Sequence, residues 1–104
     1  MLDITDAQQF EFRATLWLWS GGKTSWHFIT LPKTESEQIK FFASGIKRGW
    51  GSVRVEARIG GTSWKTSLFP SKQADAYILP IKAAVRNDEN MQLNQDYPVH
   101  LTLI

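Results

Sequence analysis

His27 and His100 are the two histidines of the chain, which has no cysteine. Either imidazole could sit on a strand as an ordinary polar residue, touch a ligand or move a proton. Neither stands in the helical pair or short carboxylate-histidine spacing that holds a metal ion. A structural zinc site would need distant carboxylates to converge, so neither a metal nor a cofactor is expected. Without cysteine, disulfides, thiolate ligands and cysteine nucleophiles are all excluded. Ser63 and Ser67 lack the glycine-flanked elbow that exposes a hydrolase nucleophile. Gly21-Gly22-Lys23-Thr24 shares letters with a phosphate loop, but it lies between two alternating segments instead of before a helix. Recognition chemistry fits more of the residues. Arg54 and Arg58 recur on one side of an alternating segment. Lys65 follows Trp64 on the expected neighbouring strand, Ser67 comes two residues later, and Lys82 and Arg86 lie four apart. Cations interleaved with aromatic rings suit an anionic ligand, an acidic peptide or a phosphate-bearing chain.

These side chains must be positioned by strands. Residues 10–18 alternate, with Phe10, Phe12, Ala14, Leu16 and Leu18 on one face and Glu11, Arg13, Thr15 and Trp17 on the other. A Gly-Gly turn leads to a partner strand over 26–31, in which His27 shares the parity of Ile29 and opposes Trp26 and Phe28. Pro32 ends that ladder. Thr34 to Glu37 has the form of a capping box, predicting a helix over 35–47 that buries Ile39, Phe42, Ala43 and Ile46, with Phe41 at the edge and Gly49 past the end. Glu35 and Glu37 are thereby assigned to the helix opening and not to paired acid-base work. Residues 52–59 alternate again, Gly60-Gly61 turns the chain, and Thr62-Ser63-Trp64 repeats Thr24-Ser25-Trp26 at an offset of 38 residues. A short strand at 77–80, a brief helix over 81–86, a connection at 93–97 and a final strand over 99–103 complete the reading. The expected architecture is mainly β: a small closed or partly open barrel built from two pseudo-symmetric hairpin halves, since a lone hairpin cannot bury a face stably.

Composition agrees with one folded unit over residues 1–104. Of 104 residues, 42% are hydrophobic and 21% charged, a balance that argues against disorder. Twelve Lys and Arg against ten Asp and Glu leave a net charge of only +2, which predicts no bulk field seeking nucleic acid or anionic lipid. The cluster Leu16-Trp17-Leu18-Trp19 is far short of the roughly 20 apolar residues that span a bilayer. The opening residues lack a secretory pattern, so a cytoplasmic location is expected.

The motifs Trp26-x-Phe28-x-x-Leu31-Pro32, Trp64-Lys65-Thr66-Ser67-Leu68-x-Pro70, Tyr77-x-Leu79-Pro80 and Lys82-Ala83-Ala84-Val85-Arg86 resemble, in this order, those of the bacterial domain-of-unknown-function family DUF1905. The resemblance runs from about Phe10 to Leu103. It implies a compact, mostly β barrel with helical insertions, and related domains sometimes precede a module associated with bacteriocin protection; it implies no established reaction. The family often has Gly-Asp before the last strand, where this chain has Gln95-Asp96. The resemblance also places an arginine at Arg86, where it could equally bind a carbonyl that closes the turn.

Taken together, the residues point to a nonenzymatic binding or interaction domain for a small anionic ligand or acidic peptide. The candidate residues are Arg54, Arg58, Trp64, Lys65, Ser67, Lys82 and Arg86. A nucleic-acid-binding barrel using Arg54, Arg58 and the aromatic strand is the alternative, and an enzyme working through His27 and a convergent acid is a third, less favoured reading. Free strand edges and surplus aromatic rings would be compatible with a monomer or a homodimer.

Overall fold

Strands whose inward positions are apolar build the wall of the structure. The computed structural model describes residues 8–44 and 51–104. In chain order these form β1 (Gln9–Gly21), β2 (Thr24–Thr30), α1 (Lys33–Ser44), β3 (Val53–Ile59), β4 (Thr62–Ser71), β5 (Ala76–Pro80), α2 (Ala83–Asp88) and β6 (Asp96–Leu103). The strands close into a barrel in the order β1-β2-β5-β4-β3-β6, and every pairing is antiparallel. The expected mainly β barrel with two helices is therefore the architecture observed. Closure provides strand partners that isolated hairpins would lack.

The core is the set of inward parities. Phe10 and Leu16 on β1, Ile29 on β2, Val55 and Ala57 on β3, Leu68 on β4, Tyr77 and Leu79 on β5, and Val99 and Leu101 on β6 are all buried. On β3 the alternation is unbroken, with Val53, Val55, Ala57 and Ile59 in and Arg54, Glu56 and Arg58 out. β1 is long because its two halves serve different neighbours: Gln9 to Thr15 pair with β6, and Leu16 to Gly21 pair with β2. The β1–β2 and β3–β4 hairpins do not pair with each other. β5 bridges them on one side and β6 on the other.

Both hairpins turn on two residues, with Gly21 opposite Thr24 and Ile59 opposite Thr62. The structural equivalents in the turns are Gly22 and Gly60, both at positive φ. The offset of 38 found for Thr-Ser-Trp thus extends to the turn glycines. What differs is the face given to the core. β1 and β3 run in the same direction on either side of β6, while β2 and β4 both lie next to β5, so the hairpins go round the barrel in opposite senses. Trp64 consequently points inward and is 8% exposed, whereas its counterpart Trp26 points outward and is 52% exposed.

The helices start and pack differently from the sequence expectation. α1 opens at Lys33, before the expected Thr34 cap, and the Pro32 carbonyl accepts the Ser36 amide at 3.0 Å. The Leu31 amide is still bonded to the Tyr77 carbonyl at 2.9 Å, so the chain leaves the sheet and coils at once. The buried stripe is Ser36, Ile39 and Ala43, at helical spacing. Ser36 belongs to it because its Oγ accepts the Tyr77 amide at 3.0 Å inside the core. That rotation leaves Phe42 partly exposed, edge-on to Phe10, and Phe41 well exposed. Ile46, Gly49 and the predicted helix end at 47 lie outside the described residues.

α2 begins at Ala83 instead of residue 81 because the Ile81 amide is bonded to the His27 carbonyl at 2.9 Å, extending the β5–β2 contact past Pro80. Lys82 takes the N-cap position in an extended conformation, and Val85 and Met91 turn inward as buried side chains. β6 starts at Asp96, so the expected connection at 93–97 yields its last two residues to the strand. Asp96 receives a hydrogen bond from the Thr15 hydroxyl on β1, and the Tyr97 hydroxyl accepts the Gln92 amide at 2.6 Å.

Candidate functional site: a cationic cleft where a strand stops

β5 is five residues long and ends at Pro80, which has no amide hydrogen with which to continue a ladder. Its neighbours run on. Residues 24–26 of β2 and 62–68 of β4 extend beyond their contacts with β5 and the Ile81 that follows it, and among the described residues no strand lies between them. A cleft of about 640 Å³ occupies this gap. Thr24, Ser25, Trp26 and His27 form one bank, and Trp64, Lys65, Thr66 and Phe69 the other. Pro80, Ile81, Lys82, Ala83 and Arg86 close the end.

Four of the seven residues singled out in the sequence converge here: Trp64, Lys65, Lys82 and Arg86. Trp64 reaches the cleft from the core face of β4 opposite the small Ala57, which leaves room for the indole. Lys65 stands on the outer face opposite Glu56, a favourable cross-strand charge pairing. Lys82, the N-cap of α2, and Arg86, in its last turn, are brought in by the short helix that follows β5. An Arg86 Nη1–H donates to the Ile81 carbonyl at 3.2 Å, so the arginine closes the strand-to-helix turn and also lines the cleft. Both roles weighed for Arg86 from the sequence are thus compatible with one position.

The other three candidates lie elsewhere. Arg54 Nη1–H donates to Ser67 Oγ at 3.3 Å across the β3–β4 ladder, on the outer face. This bond gives the Ser67 hydroxyl a strand partner. Arg58 lies in a separate surface depression with Glu11, Arg13 and His100. There His100 Nε2 is 3.1 Å from Gln9 Oε1 and 4.0 Å from Glu11 Oε1. Neither Arg54, Arg58 nor Ser67 lines the cleft.

The cleft is electrostatically one-sided. Lys65, Lys82 and Arg86 line it, and among the described residues no Asp or Glu does. Burial, and then the nearby Arg86 charge, hold the His27 imidazole below its ordinary pKa. That shift favours the neutral imidazole, in which one ring nitrogen donates and the other accepts. The hydroxyls of Thr24, Ser25 and Thr66 add further donors around apolar walls of Trp26, Trp64, Phe69 and Ile81. Such a surface can receive an anion with charge-assisted hydrogen bonds and cover an apolar body with rings.

A second depression of about 440 Å³ adjoins it on the outer face of the barrel. It shares Trp26, Phe69 and Pro80 with the cleft and continues over Trp19, Phe28, Pro70 and Ile78. Trp26 stacks on Phe28 with centroids 6.2 Å apart and planes 10° from parallel. Trp17 tilts against Phe28 with centroids 5.4 Å apart and is fixed by Nε1–H donation to Thr30 Oγ1 at 2.9 Å. The Trp19 ring folds over Gly21, where a Cβ would come within 2.4 Å of it. Sequence parity identified Trp17 as lying on the polar face; the convergence of His27, Trp26 and Phe69 with Lys65 and Arg86 depends on pairing between distant strands.

A family model described as "Domain of unknown function (DUF1905)" matches residues 12–101. No curated protein matches the chain.

Proposed function

The chain belongs to the DUF1905 family of domains of unknown function, and within it we propose a binding domain that takes an anionic group in the cleft beyond β5. One observation carries this reading: Lys65, Lys82 and Arg86 meet at a single depression that, among the described residues, no carboxylate lines. Lys65 has Glu56 opposite it on the ladder, but among the described residues no carboxylate lines the depression, so the cations repel one another there and an anion relieves that repulsion. The roughly 640 Å³ volume is within the range of small-ligand sites. Lys65 and Lys82 supply point charges, Arg86 offers a planar donor already oriented by the Ile81 carbonyl, and His27 contributes as a neutral hydrogen-bonding group.

Five tryptophans give five indole reporters, two of them, Trp26 and Trp64, in the cleft wall. Titration with inorganic phosphate or butyrate, followed by ¹H–¹⁵N spectra, should move the Trp26 and Trp64 indole signals. Lys82→Ala and Lys65→Ala should each weaken binding about three- to tenfold, the effect of removing one exposed charge-assisted contact. Absence of saturable shifts with either anion would remove the proposal. Shifts confined to the outer face of β3 with a single-stranded oligonucleotide, abolished in Arg54→Ala and Arg58→Ala, would favour the nucleic-acid alternative.

A further inference from the structure

We infer that the anion bound in the cleft carries an apolar tail, and that the ligand class is a straight-chain carboxylate of medium length. This rests on the anion-binding reading and adds what the neighbouring groove contributes. The two depressions meet across Trp26, Phe69 and Pro80. On the cleft side of these residues lie the cations; on the groove side, none of the lining residues is charged. A carboxylate seated near Lys82 and Arg86 therefore has an apolar path leading away from it along the outer face. Trp19 is 46%, Trp26 52% and Phe69 45% exposed, although each belongs to this continuous surface. Their apolar area stays in contact with water unless a ligand covers it.

The size of the groove sets the tail. From Pro80 at the end of β5, beside the cations, it crosses Trp26 and Phe28 on β2 to Trp19 on β1, two interstrand spacings or about 10 Å. A chain of roughly eight bonds spans that distance, since three bonds of backbone advance about 3.8 Å. The flat Trp26–Phe28 stack and the Ile78 and Pro70 side chains offer van der Waals contact along the path, and the polar side chains of the lining, Ser71 and Gln73, are uncharged, which suits methylenes better than a second charged group. Charge at one end and an uncharged groove at the other also fix the orientation.

The test is a homologous series of butyrate, hexanoate, octanoate and decanoate, kept monomeric, with 1-octanol as the uncharged control. Full burial gives roughly fourfold in affinity per methylene, and an open groove retains about twofold. Octanoate should thus bind about fifteenfold more tightly than butyrate, with little further gain for decanoate. Butyrate should move the Trp26 and Trp64 indole signals, and octanoate should move Trp19 as well. Trp19→Ser should flatten the chain-length dependence and leave butyrate affinity unchanged, while Lys82→Ala should weaken every acid by one common factor. Both sites are exposed, and dispersed spectra of the variants verify their folding. If butyrate and phosphate bind but octanoate binds no better, the tail inference is overturned and the anion reading stands. Equal binding of octanol and octanoate overturns both. Trp19 and Trp26 signals that shift with protein concentration alone, together with a dimer in sedimentation, assign the groove to a second copy and overturn the tail inference; groove-dependent binding to phosphatidylglycerol vesicles without binding to free octanoate does so in favour of a membrane surface.

Discussion

Gly60→Ala tests how α2, and with it Lys82 and Arg86, is held against the barrel. Gly60 has φ +58, and a Cβ built there would lie 1.9 Å from Glu89 Oε1. Glu89 follows α2 as its C-cap and accepts a hydrogen bond from the Thr62 hydroxyl at 2.5 Å. Alanine therefore has two costs. The left-handed backbone costs about 1 kcal/mol for a residue with a side chain. Glu89 must also swing aside and lose the Thr62 bond, worth about 1 kcal/mol at a half-exposed site. Gly60→Ala should lower stability by about 2 kcal/mol and Glu89→Ala by about 1 kcal/mol. The double variant should also lose only about 2 kcal/mol, because the second cost is already spent, giving a coupling of about 1 kcal/mol. Urea denaturation with a common m-value measures all four corners of the cycle. Additivity within about 0.3 kcal/mol would refute the latch, because it would mean that the methyl group and the carboxylate do not compete for space.

Ser36→Ala removes the buried acceptor of the Tyr77 amide and should cost about 1–3 kcal/mol by chemical denaturation. Ser36→Cys, which keeps only a weak acceptor, should recover little of it. Trp17→Phe retains the ring contact with Phe28 but deletes the bond to Thr30, and a loss of about 1 kcal/mol is expected in the same assay. For His27 the folded pKa is depressed, so the unfolded chain takes up the proton first as pH falls. Its contribution is present in full above the unfolded value of about 6.5 and declines below it. His27→Gln should accordingly reduce the fall in melting temperature between pH 7.5 and 5.5, and an identical pH dependence in the two proteins would contradict the assignment.

Local pattern carried much of the architecture into the sequence. The period-two runs around Phe12, Val55 and Leu101 gave strands with their buried faces, because a side chain's face on a strand depends only on parity. Gly22 and Gly60 marked turns because positive φ is a local demand. The helix boundaries were less accessible. Ile81 and Leu31 are kept in extended form by amide bonds to His27 and Tyr77, partners distant in sequence. Ser36 is the clearest case: it reads as a polar capping-region residue, yet it is buried because a strand amide more than forty positions away needs an acceptor.

The candidate site divides in the same way. Trp64, Lys65, Lys82 and Arg86 were identifiable as residue types in ordered motifs, and the short helix already placed the last two near each other. Their meeting with His27, and the separation of Arg54, Arg58 and Ser67 from them, required the barrel order in which β5 lies between β2 and β4 and stops at Pro80. Likewise, the sequence determined that Trp26 and Trp64 occupy equivalent places on two similar hairpins. Only tertiary structure decided that one faces water and the other the core, because inward and outward are defined by the direction in which the sheet closes, a property that neither hairpin possesses alone.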